Sequence, residues 1–505
     1  MQGPGRQECN WMEEVKLRIN EEAEGVSLSI PPYFRRFDRI NNEECPSIFM
    51  RPRRMANHQA GVDVAPTPMI AAQTPSSQQP PHHTSRGSTG GSVIVAAVGP
   101  YHHQSESALV THGKKCAIVK FLASQDFGLD TTAFLGWVLE KDARVRGCYE
   151  RDSFSMCPEK LAEVLLIDGC LVLFAVFLLR SSVREDGRPA ELARSAVHEK
   201  EFSYLSADIS LHMKQTRLDL LLLSNQIPFF VLHELHSRLA GTFFRGIVHN
   251  IEKLALSCFD DIRPSPSPSA SGDGEALLFP PTVHHLLHLF HWSRVPRGKH
   301  AVDTYSILLD DPETNLPCAT WFDDSLTSFS KHAAPPGILD IVFQKKIFGF
   351  RGVLRVPALH IHGYSDLVFR NLIAFEQSHL RCGLGVTAYS FCMARLLQSE
   401  ADAKLLRKSG ILAHTHKTDK QIVDLFSGLA DEYRGTFYSK DMLHLCKEVA
   451  AHQRSPAARA VRGAVLQCFP RQTVTFFVIL GAFISIATLI NTVFAVYRFY
   501  HPVNN

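Results

Sequence analysis

The sequence lacks the motifs that identify the common nucleotide-binding and hydrolytic enzymes. It contains no GxxxxGK[ST] loop to wrap phosphates, no GxGxxG after a strand and no GxSxG nucleophile elbow. It also lacks CxxC pairs, because its twelve cysteines are scattered singly and far less densely than in a secreted disulfide scaffold. We therefore expect reduced thiols in the cytosol, no cofactor and none of these enzyme classes.

Excess charge and a targeting signal are missing as well. The formal net charge is only +3 over 505 residues, so the bulk electrostatic signature of a nucleic-acid-binding protein is absent. The first twenty residues have no apolar core of signal-peptide length and carry acidic residues early. No Asn-x-Ser/Thr acceptor occurs, which agrees with a body outside the secretory lumen.

Two low-complexity stretches interrupt a mainly helical pattern. The stretch from about residue 57 to residue 92 is rich in Pro, Gln, Ser and Gly, and the stretch from about residue 263 to residue 275 is rich in Pro and Ser. Both are predicted to be disordered insertions. The predicted organisation is an N-terminal extension at 1–44, a domain at 45–465, a membrane helix at 473–497 and a short tail at 498–505.

Apolar residues recur at helical spacing through most of the remaining chain. The predicted helices are Ser107–Ala123, Thr131–Glu150, Pro158–Leu179, Thr216–Ser224, Pro228–Leu239, Val283–Trp292, Asn371–Leu380, Val386–Lys408, Lys420–Arg434 and Lys440–Gln453. Ile338–Phe343 and Gly352–His362 alternate like strands around the turn sequence "GFRG". The predicted fold is a mainly α, multi-helix globular body with a small antiparallel β ribbon.

The last apolar run is long enough to cross a bilayer. Val474 to Val496 contains no charged residue, and a helix of that length covers the roughly 30 Å hydrocarbon core. A buried core helix is the alternative, although such helices usually show a polar stripe. Four arginines precede the run and one follows it closely: Arg454, Arg459, Arg462, Arg471 and Arg498. The positive-inside rule then predicts a single-pass, tail-anchored protein of the plasma membrane or an endomembrane, with a cytosolic body.

A second apolar run, "LLIDGCLVLF", carries the most informative acid. Because Glu163 and Asp168 lie within its helix, we predict a buried core helix rather than a span. Asp168 has two interpretations. It is either a packing anchor hydrogen-bonded to Arg, Lys or backbone, with Gly169 permitting close helix approach, or the acid or base of an unrecognised enzyme. The second interpretation requires Asp168, Asn225 and Gln226 to share one solvent-reachable pocket.

The amides Asn225 and Gln226 stand inside the apolar run "LLLLSNQIPFFVL". Pro228 cannot donate a hydrogen bond and disfavours helix at Ile227, so the chain should turn here and restart with Pro228 as the first helical residue. The side-chain amides are then expected to satisfy backbone groups at a buried corner between two helices.

Histidines offer a weak metal hypothesis. His284, His288 and His291 recur at helical spacing in "TVHHLLHLFHW", but structural zinc normally takes four ligands and no Cys is suitably spaced beside them. Histidines lining an amphipathic helix are the alternative. In "GPYHH", Gly99 and Pro100 indicate a turn rather than a catalytic site, since no nucleophile or carboxylate is tied to it by spacing.

Several of these segments, in fixed order, resemble one family. They are "CPSIFMRPRRM", "VAAVGPYHHQ", "LLIDGCLVLF", "DLLLLSNQIPFFVLHEL", "FRNLIAFEQ" with Glu376, "DAKLLRKSGIL" and the C-terminal apolar run. The sequence looks like a member of the plant family called domain of unknown function 247. The resemblance implies a membrane-associated plant protein without assigned enzymatic activity, and the role of some grass members in self-incompatibility suggests recognition or signalling. We therefore expect a non-enzymatic interaction protein whose one identifiable partner is a lipid bilayer.

Overall fold

The computed structural model describes most of the predicted helical body. The described residues are 4–24, 96–150, 155–180, 196–245, 250–260, 262, 280, 282–294, 306–307, 316–324, 327–332, 340–346, 351–379, 382–413, 417–432, 437–438, 440–456, 459–460, 463 and 471–500. Both predicted disordered insertions lie outside these residues, and the predicted domain boundaries stay predictions.

Helices dominate the described residues, as predicted. They are α1 (Pro4–Glu24), α2 (Glu106–Leu122), α3 (Thr131–Glu140), α4 (Asp142–Gly147), α5 (Pro158–Arg180), α6 (Ala196–Leu211), α7 (Met213–Asp219), α8 (Phe229–Leu239), α9 (Ile251–Ser257), α10 (Leu286–Trp292), α11 (Ala319–Asp324), α12 (Ser365–Ser378), α13 (Gly385–Leu396), α14 (Glu400–Lys408), α15 (Asp419–Glu432), α16 (Lys440–Arg454) and α17 (Arg471–Tyr500). The strands are β1 (Ser306–Ile307), β2 (Thr327–His332), β3 (Val342–Lys346), β4 (Arg351–Pro357), β5 (Leu359–His360), β6 (Leu412–Ala413) and β7 (Phe437–Tyr438).

Helix α5 is the centre of the N-terminal half. From Leu161 to Phe177 every residue of this 23-residue helix is buried, and α2, α3, α8 and α9 pack against it. Gly169 sets the closest of these approaches, because a Cβ at this position would lie 2.5 Å from Leu235 Cδ1 of α8. A cluster of aromatic rings, including Phe174 and Phe243, fills the space beside α5.

The C-terminal half combines helices with a small sheet. Helices α12, α13, α14 and α15 pack on one another, and α10 joins this group through α12. The sheet has the strand order β2-β4-β3, with α11 against β2 and α16 against β3. Buried side chains from both halves form one continuous hydrophobic core.

The predicted antiparallel ribbon is confirmed in the pairing of β3 with β4, where Phe343 lies opposite Leu354. The sheet has one strand more than predicted. Strand β2 pairs in parallel with the other edge of β4, Phe329 also opposite Leu354. Its sequence, "TSFSKH", alternates only weakly, and its pairing depends on a strand more than twenty residues away along the chain.

Two long predicted helices are interrupted in the structure. The helix expected at Thr131–Glu150 divides into α3 and α4, and the one expected at Val386–Lys408 divides into α13 and α14. The second break has a local cause. Ser399 caps α14 by accepting a hydrogen bond from Asp402 N, and the Asp402 carboxylate accepts one from Ser399 N in return. This capping box starts a new helix where the apolar periodicity alone predicts continuation.

Among the described residues, α5 and α17 are the two helices long and apolar enough to cross a membrane. Their surroundings differ completely. In α5, 94% of the most apolar stretch is buried within the protein, whereas no part of Phe477–Tyr497 in α17 is buried. The prediction that Asp168 lies in a core helix is therefore confirmed by the burial of α5, and the apolar surface of α17 lies outside the packed body.

Candidate functional site

The candidate site is the buried corner Ser224–Pro228, called the amide corner below. It lies between α7, which ends at Asp219, and α8, which begins at Phe229. Pro228 occupies the N-cap of α8 with φ −54° and ψ 129°, so the helix starts one residue later than predicted. The extended backbone at this position turns the chain while keeping both flanking helices in the core.

Asn225 connects the amide corner to a segment more than 120 residues earlier. Its Oδ1 accepts a hydrogen bond from Val98 N at 2.7 Å, and its Nδ2 donates to Ala96 O at 2.6 Å and Asp219 O at 3.0 Å. Asn225 is buried, so all three partners are shielded from water. A single side chain thus pairs with the backbone of Ala96 and Val98 as a neighbouring strand would.

Gln226 closes the corner on its other side. Its Nε2 donates to Leu220 O at 2.8 Å and Leu222 O at 2.7 Å, the carbonyls freed where α7 ends. Its Oε1 accepts from Leu287 N, 3.2 Å away in the first turn of α10. Phe229 N donates to His284 O at 2.7 Å, which adds a second connection from the start of α8 to the segment before α10.

The segment Ala96–Gly99 receives its hydrogen bonds largely from side chains. Asp219 Oδ2 accepts from Ala96 N at 3.1 Å, and Lys115 Nζ donates to Ala97 O at 2.5 Å. Asp168 Oδ2 accepts from Gly99 N at 2.8 Å. Residues of α2, α5, α7 and the amide corner therefore hold one short segment in the core.

Asp168 and Lys115 form the ion pair of this network. Asp168 Oδ1 lies 2.6 Å from Lys115 Nζ, and the two side chains are 5% and 3% exposed. Burying either charge alone would cost several kcal/mol, about as much as an unpaired buried ion usually does. The geometry matches the packing-anchor interpretation of Asp168, since both carboxylate oxygens are engaged by protein donors.

Gly99 requires a glycine for two reasons. Its φ of +83° lies in the left-handed region, which side chains other than glycine rarely adopt. A Cβ at this position would also lie 2.9 Å from Gln226 O, the carbonyl that Tyr149 OH contacts at 3.3 Å. Pro100 continues the turn, which His102 N closes by donating to Gly99 O at 3.1 Å.

The imidazole of His102 is neutral in this setting. Its Nε2 lies 2.7 Å from Ser224 Oγ at the amide corner. Burial and, to a smaller extent, the nearby Lys115 charge together lower the pKa of His102 from 6.5 to about 4. Burial also holds the pKa of the Tyr149 phenol well above its usual range. Both groups are therefore uncharged hydrogen-bonding partners at neutral pH.

A general acid or base must reach a proton of its substrate, within about 3 Å or through one water. Asp168, Asn225 and Gln226 do converge, as the enzyme alternative requires, but their polar atoms point to the protein backbone and to Lys115. All three side chains are buried. What the arrangement can do is hold three distant parts of the chain in register.

A second polar group surrounds Phe375 on α12. This histidine cluster consists of His284, His285, His288, His291 and His379. Burial lowers the pKa of His379 to about 3 and that of His288 well below its usual value, with neighbouring histidines contributing. The imidazoles of these two residues are therefore neutral and pack as aromatic rings.

Glu376 joins the histidine cluster to α13. Its Oε1 lies 2.8 Å from His291 Nε2 and accepts from Val386 N at 2.8 Å. Its Oε2 accepts from Thr387 N at 2.8 Å and Thr387 Oγ1 at 2.7 Å. Leu384, the N-cap of α13, provides no side-chain hydrogen bond. A carboxylate from α12 therefore caps α13 from outside.

The three histidines of the metal hypothesis point to different neighbours. His291 Nε2 contacts Glu376, whereas His288 Nε2 lies 3.8 Å from Cys382 Sγ, and His284 stacks on His288. In the described part of the chain, the possible ligand atoms that come within 4.8 Å of one another belong to Glu22, His112 and Cys116. The sequence signal for that group was the spacing of His112 and Cys116, one helical turn apart.

Comparison with known proteins identifies relatives but no activity. The model of DUF247, described as a plant protein of unknown function, matches residues 93–487. The chain is 22% identical over 359 residues to UPF0481 protein At3g47200 of Arabidopsis thaliana, covering 66% of this chain and 68% of that protein. It is 28% identical over 85 residues to putative UPF0481 protein At3g02645 of the same plant, covering 17% and 16%. No solved structure matches.

Proposed function

Because this chain belongs to DUF247, a family of plant proteins of unknown function, we propose its role from its own geometry: a membrane-tethered protein that binds another protein. The observation that carries the proposal is the exposure of α17. A mainly apolar run of 21 residues that packs against no core is costly in water, since burying one large apolar side chain is worth about 1.5–3 kcal/mol. A bilayer is the surrounding that removes this cost.

The length of α17 agrees with that role. Arg471–Tyr500 contains 30 residues, and about 20 suffice for the hydrocarbon core at 1.5 Å per residue. The hydroxyls of Ser485, Thr488 and Thr492 donate to backbone carbonyls one turn earlier, so they need no partner from water. Such hydroxyls are compatible with a hydrocarbon surrounding.

The side of the membrane follows from the flanking charges. Arg459 and Arg462 precede α17 and Arg471 is its first residue, whereas Arg498 alone follows its apolar part closely. By the positive-inside rule, these charges support a body, with its amide corner and histidine cluster, on the cytosolic side.

The binding role is supported by the way the chain uses its polar groups. The buried acids that could have served catalysis, Asp168 and Glu376, each accept backbone hydrogen bonds and pair with Lys115 and His291. The family resemblance implies roles in recognition or signalling, including self-incompatibility. All of these roles require binding of another protein, which is the function proposed for this chain.

A paired substitution in α17 tests the anchor. Ile486→Arg combined with Ile490→Arg places two charges on one face near its centre, each costing about 2.5–3.5 kcal/mol for insertion. We expect the full chain to leave the alkaline-washed membrane fraction. Leu109→Arg is the control, because Leu109 on α2 and Ile486 on α17 are both well exposed, at 64% and 57%. Continued membrane retention of the double variant would refute the anchor.

Proximity labelling tests side and partner together. A labelling enzyme fused before α1 should biotinylate cytosolic neighbours, and the same neighbours should disappear with the released double arginine variant. Labelling of lumenal or cell-surface proteins instead would reverse the orientation. Recovery of identical neighbours from the released variant would show that tethering is not needed for partner engagement.

A further inference from the structure

The N-terminal helix is attached to the body at a place where three potential metal ligands meet. Glu22, in the last turns of α1, has its Oε2 2.7 Å from His112 Nε2 of α2. Cys116 Sγ lies 3.7 Å from His112 Nε2 and 3.9 Å from Glu22 Oε2. We propose that Glu22, His112 and Cys116 bind a zinc ion that fastens α1 to α2, a site called the helix clasp below.

The ligand types and their spacing suit zinc. Thiolate sulfur, imidazole nitrogen and carboxylate oxygen are the donors that zinc takes in proteins, at about 2.3, 2.0–2.1 and 2.0–2.2 Å. Around a tetrahedral ion, these bond lengths separate the donor atoms by about 3.4–3.6 Å. The two distances from Cys116 Sγ are already within a few tenths of an ångström of that range. The Glu22 to His112 pair has to open by about 0.7 Å, exchanging one hydrogen bond for two metal bonds.

The surroundings define which way an ion would enter. Cys116 is fully buried, whereas the side chains of His112 and Glu22 are 31% and 39% exposed. The sulfur therefore forms the base of the helix clasp, and the fourth position faces solvent, where water would complete the tetrahedron. His112 and Cys116 lie four residues apart on α2, so both face α1 from one side of a rigid helix.

Metal binding would also change the protonation of Cys116. Burial, followed by the nearby Glu22 and Glu163 carboxylates, raises the pKa of its thiol to about 12. The thiol therefore keeps its proton at neutral pH in the absence of an ion. Binding of Zn²⁺ forms the sulfur–zinc bond and releases this proton to solvent. His112 would coordinate through Nε2 with its ring proton on Nδ1, so the Nε2 hydrogen that now faces Glu22 has to leave Nε2, while the Glu22 carboxylate exchanges that hydrogen bond for a zinc–oxygen bond.

The helix clasp would reinforce an attachment that apolar packing already makes. Val15 and Ile19 of α1 enter the core, and Arg18 NH2 donates to Glu163 Oε2 of α5 at 3.0 Å. Helix α1 ends at residue 24, before the part of the chain that the family model matches, which begins at residue 93. Zinc would thus fix a helix outside the matched region onto the body that the family shares.

Cobalt substitution tests the site directly. The full chain, purified in detergent and stripped with a chelator, is titrated with Co²⁺ and separately with Zn²⁺. We expect one ion per chain and a thiolate-to-cobalt charge-transfer band that Zn²⁺ abolishes. Cys116→Ser should remove the band and weaken Zn²⁺ binding at least tenfold, whereas Cys148→Ser, which alters a thiol outside the clasp, should leave both unchanged.

Two further variants keep the outcome decisive. Glu22→Gln and His112→Gln preserve side-chain size and should each weaken Zn²⁺ binding at least tenfold, and they decide the question if Cys116→Ser does not fold. Zn²⁺ should also slow proteolysis within α1 in the unaltered chain and not in Glu22→Gln. Absence of a thiolate band in the unaltered chain, or a band that survives in His112→Gln with unchanged affinity, would overturn the proposal. Neither result depends on membrane insertion of α17.

Discussion

At the scale of single residues, the amide corner shows how a few buried polar side chains can contribute much to the stability of the fold. Asn225, Gln226, Asp168 and Lys115 together hydrogen-bond to backbone groups of the segment Ala96–Gly99 and of the α7 terminus. An unmade hydrogen bond of a buried group costs about 1–3 kcal/mol. Asn225 and Gln226 each satisfy three backbone groups, whereas Asp168 and Lys115 each satisfy one and also pair with each other. Substitutions here should therefore change stability.

Asn225→Ala tests this expectation. The substitution leaves Val98 N, Ala96 O and Asp219 O without their partner, so we expect a loss of at least about 3 kcal/mol in the free energy of unfolding. Urea unfolding of the full chain in detergent measures it. Gln104→Ala, which removes an exposed amide, should stay within about 0.5 kcal/mol of the unaltered chain. A stable Asn225→Ala protein that loses its partner would make the corner a binding site.

Substitutions at two glycines with positive φ can distinguish the cost of backbone strain from the cost of steric overlap. Gly128 has φ +65° with nothing within 4 Å of an added Cβ, whereas Gly99 has φ +83° with Gln226 O at 2.9 Å. We expect Gly128→Ala to cost about 1–2 kcal/mol from strain alone. Gly99→Ala should cost more than that, because a backbone carbonyl has to move. Equal melting curves for the two variants would contradict a steric overlap between the new Cβ at position 99 and Gln226 O.

The lowered pKa of His102 predicts acid sensitivity. Folding lowers this pKa from 6.5 to about 4, so the unfolded chain binds a proton between these values while the folded chain does not. The stabilising contribution is therefore complete above pH 6.5 and is lost as the pH falls towards 4, by about 1.4 kcal/mol per pH unit. His102→Gln should flatten the loss measured between pH 7.5 and 5. His379, with its pKa lowered to about 3, contributes in the same direction and remains as background.

At the scale of secondary-structure elements, α13 and α14 begin in contrasting ways. Ser399, the residue immediately before α14, caps that helix. Helix α13 is capped instead by the fully buried side chain of Glu376, which belongs to α12. The local cap follows from a sequence rule, but the distant cap depends on how two helices pack. The start of α13 therefore depends on α12 being folded and packed beside it.

Glu376→Gln probes the distant cap. An amide nitrogen would face the N–H groups of Val386 or Thr387, so one backbone donor loses its acceptor and the carboxylate charge is lost. We expect a loss of about 2–3 kcal/mol in the free energy of unfolding, against about 1 kcal/mol for Ser399→Ala. Chemical denaturation of both variants provides the comparison. A smaller effect for Glu376→Gln than for Ser399→Ala would argue against the capping role.

Local patterns predict elements where local forces decide. The long apolar run of α5 and the Pro228 turn follow from composition and from the chemistry of proline. The register of β2 on β4, the pairing of Lys115 with Asp168 and the meeting of Glu22 with His112 depend on chain segments 25 or more residues apart. Periodicity carries no information about such pairings, so the sequence indicated Asp168 and Asn225 but not their partners.

At the scale of the whole molecule, the body and α17 should behave as separate structural units. Every residue of Phe477–Tyr497 is exposed, so none supports the core of the body. We expect Ile486→Arg with Ile490→Arg to leave the unfolding free energy of the body, measured in detergent, within about 0.5 kcal/mol. A substantially lower value would show that α17 packs on the body and contributes to its fold.

The segment Ala96–Gly99 has a consequence for synthesis on the ribosome. It emerges early, but Asp168 follows 69 residues after Gly99, and Asn225 follows 127 residues after Val98. At about 5–20 residues per second, the nascent chain waits roughly 6–25 s for Asn225 to be made. During that interval an apolar stretch with unmet backbone groups stands open to chaperones, because the side chain that pairs with it has not yet been made.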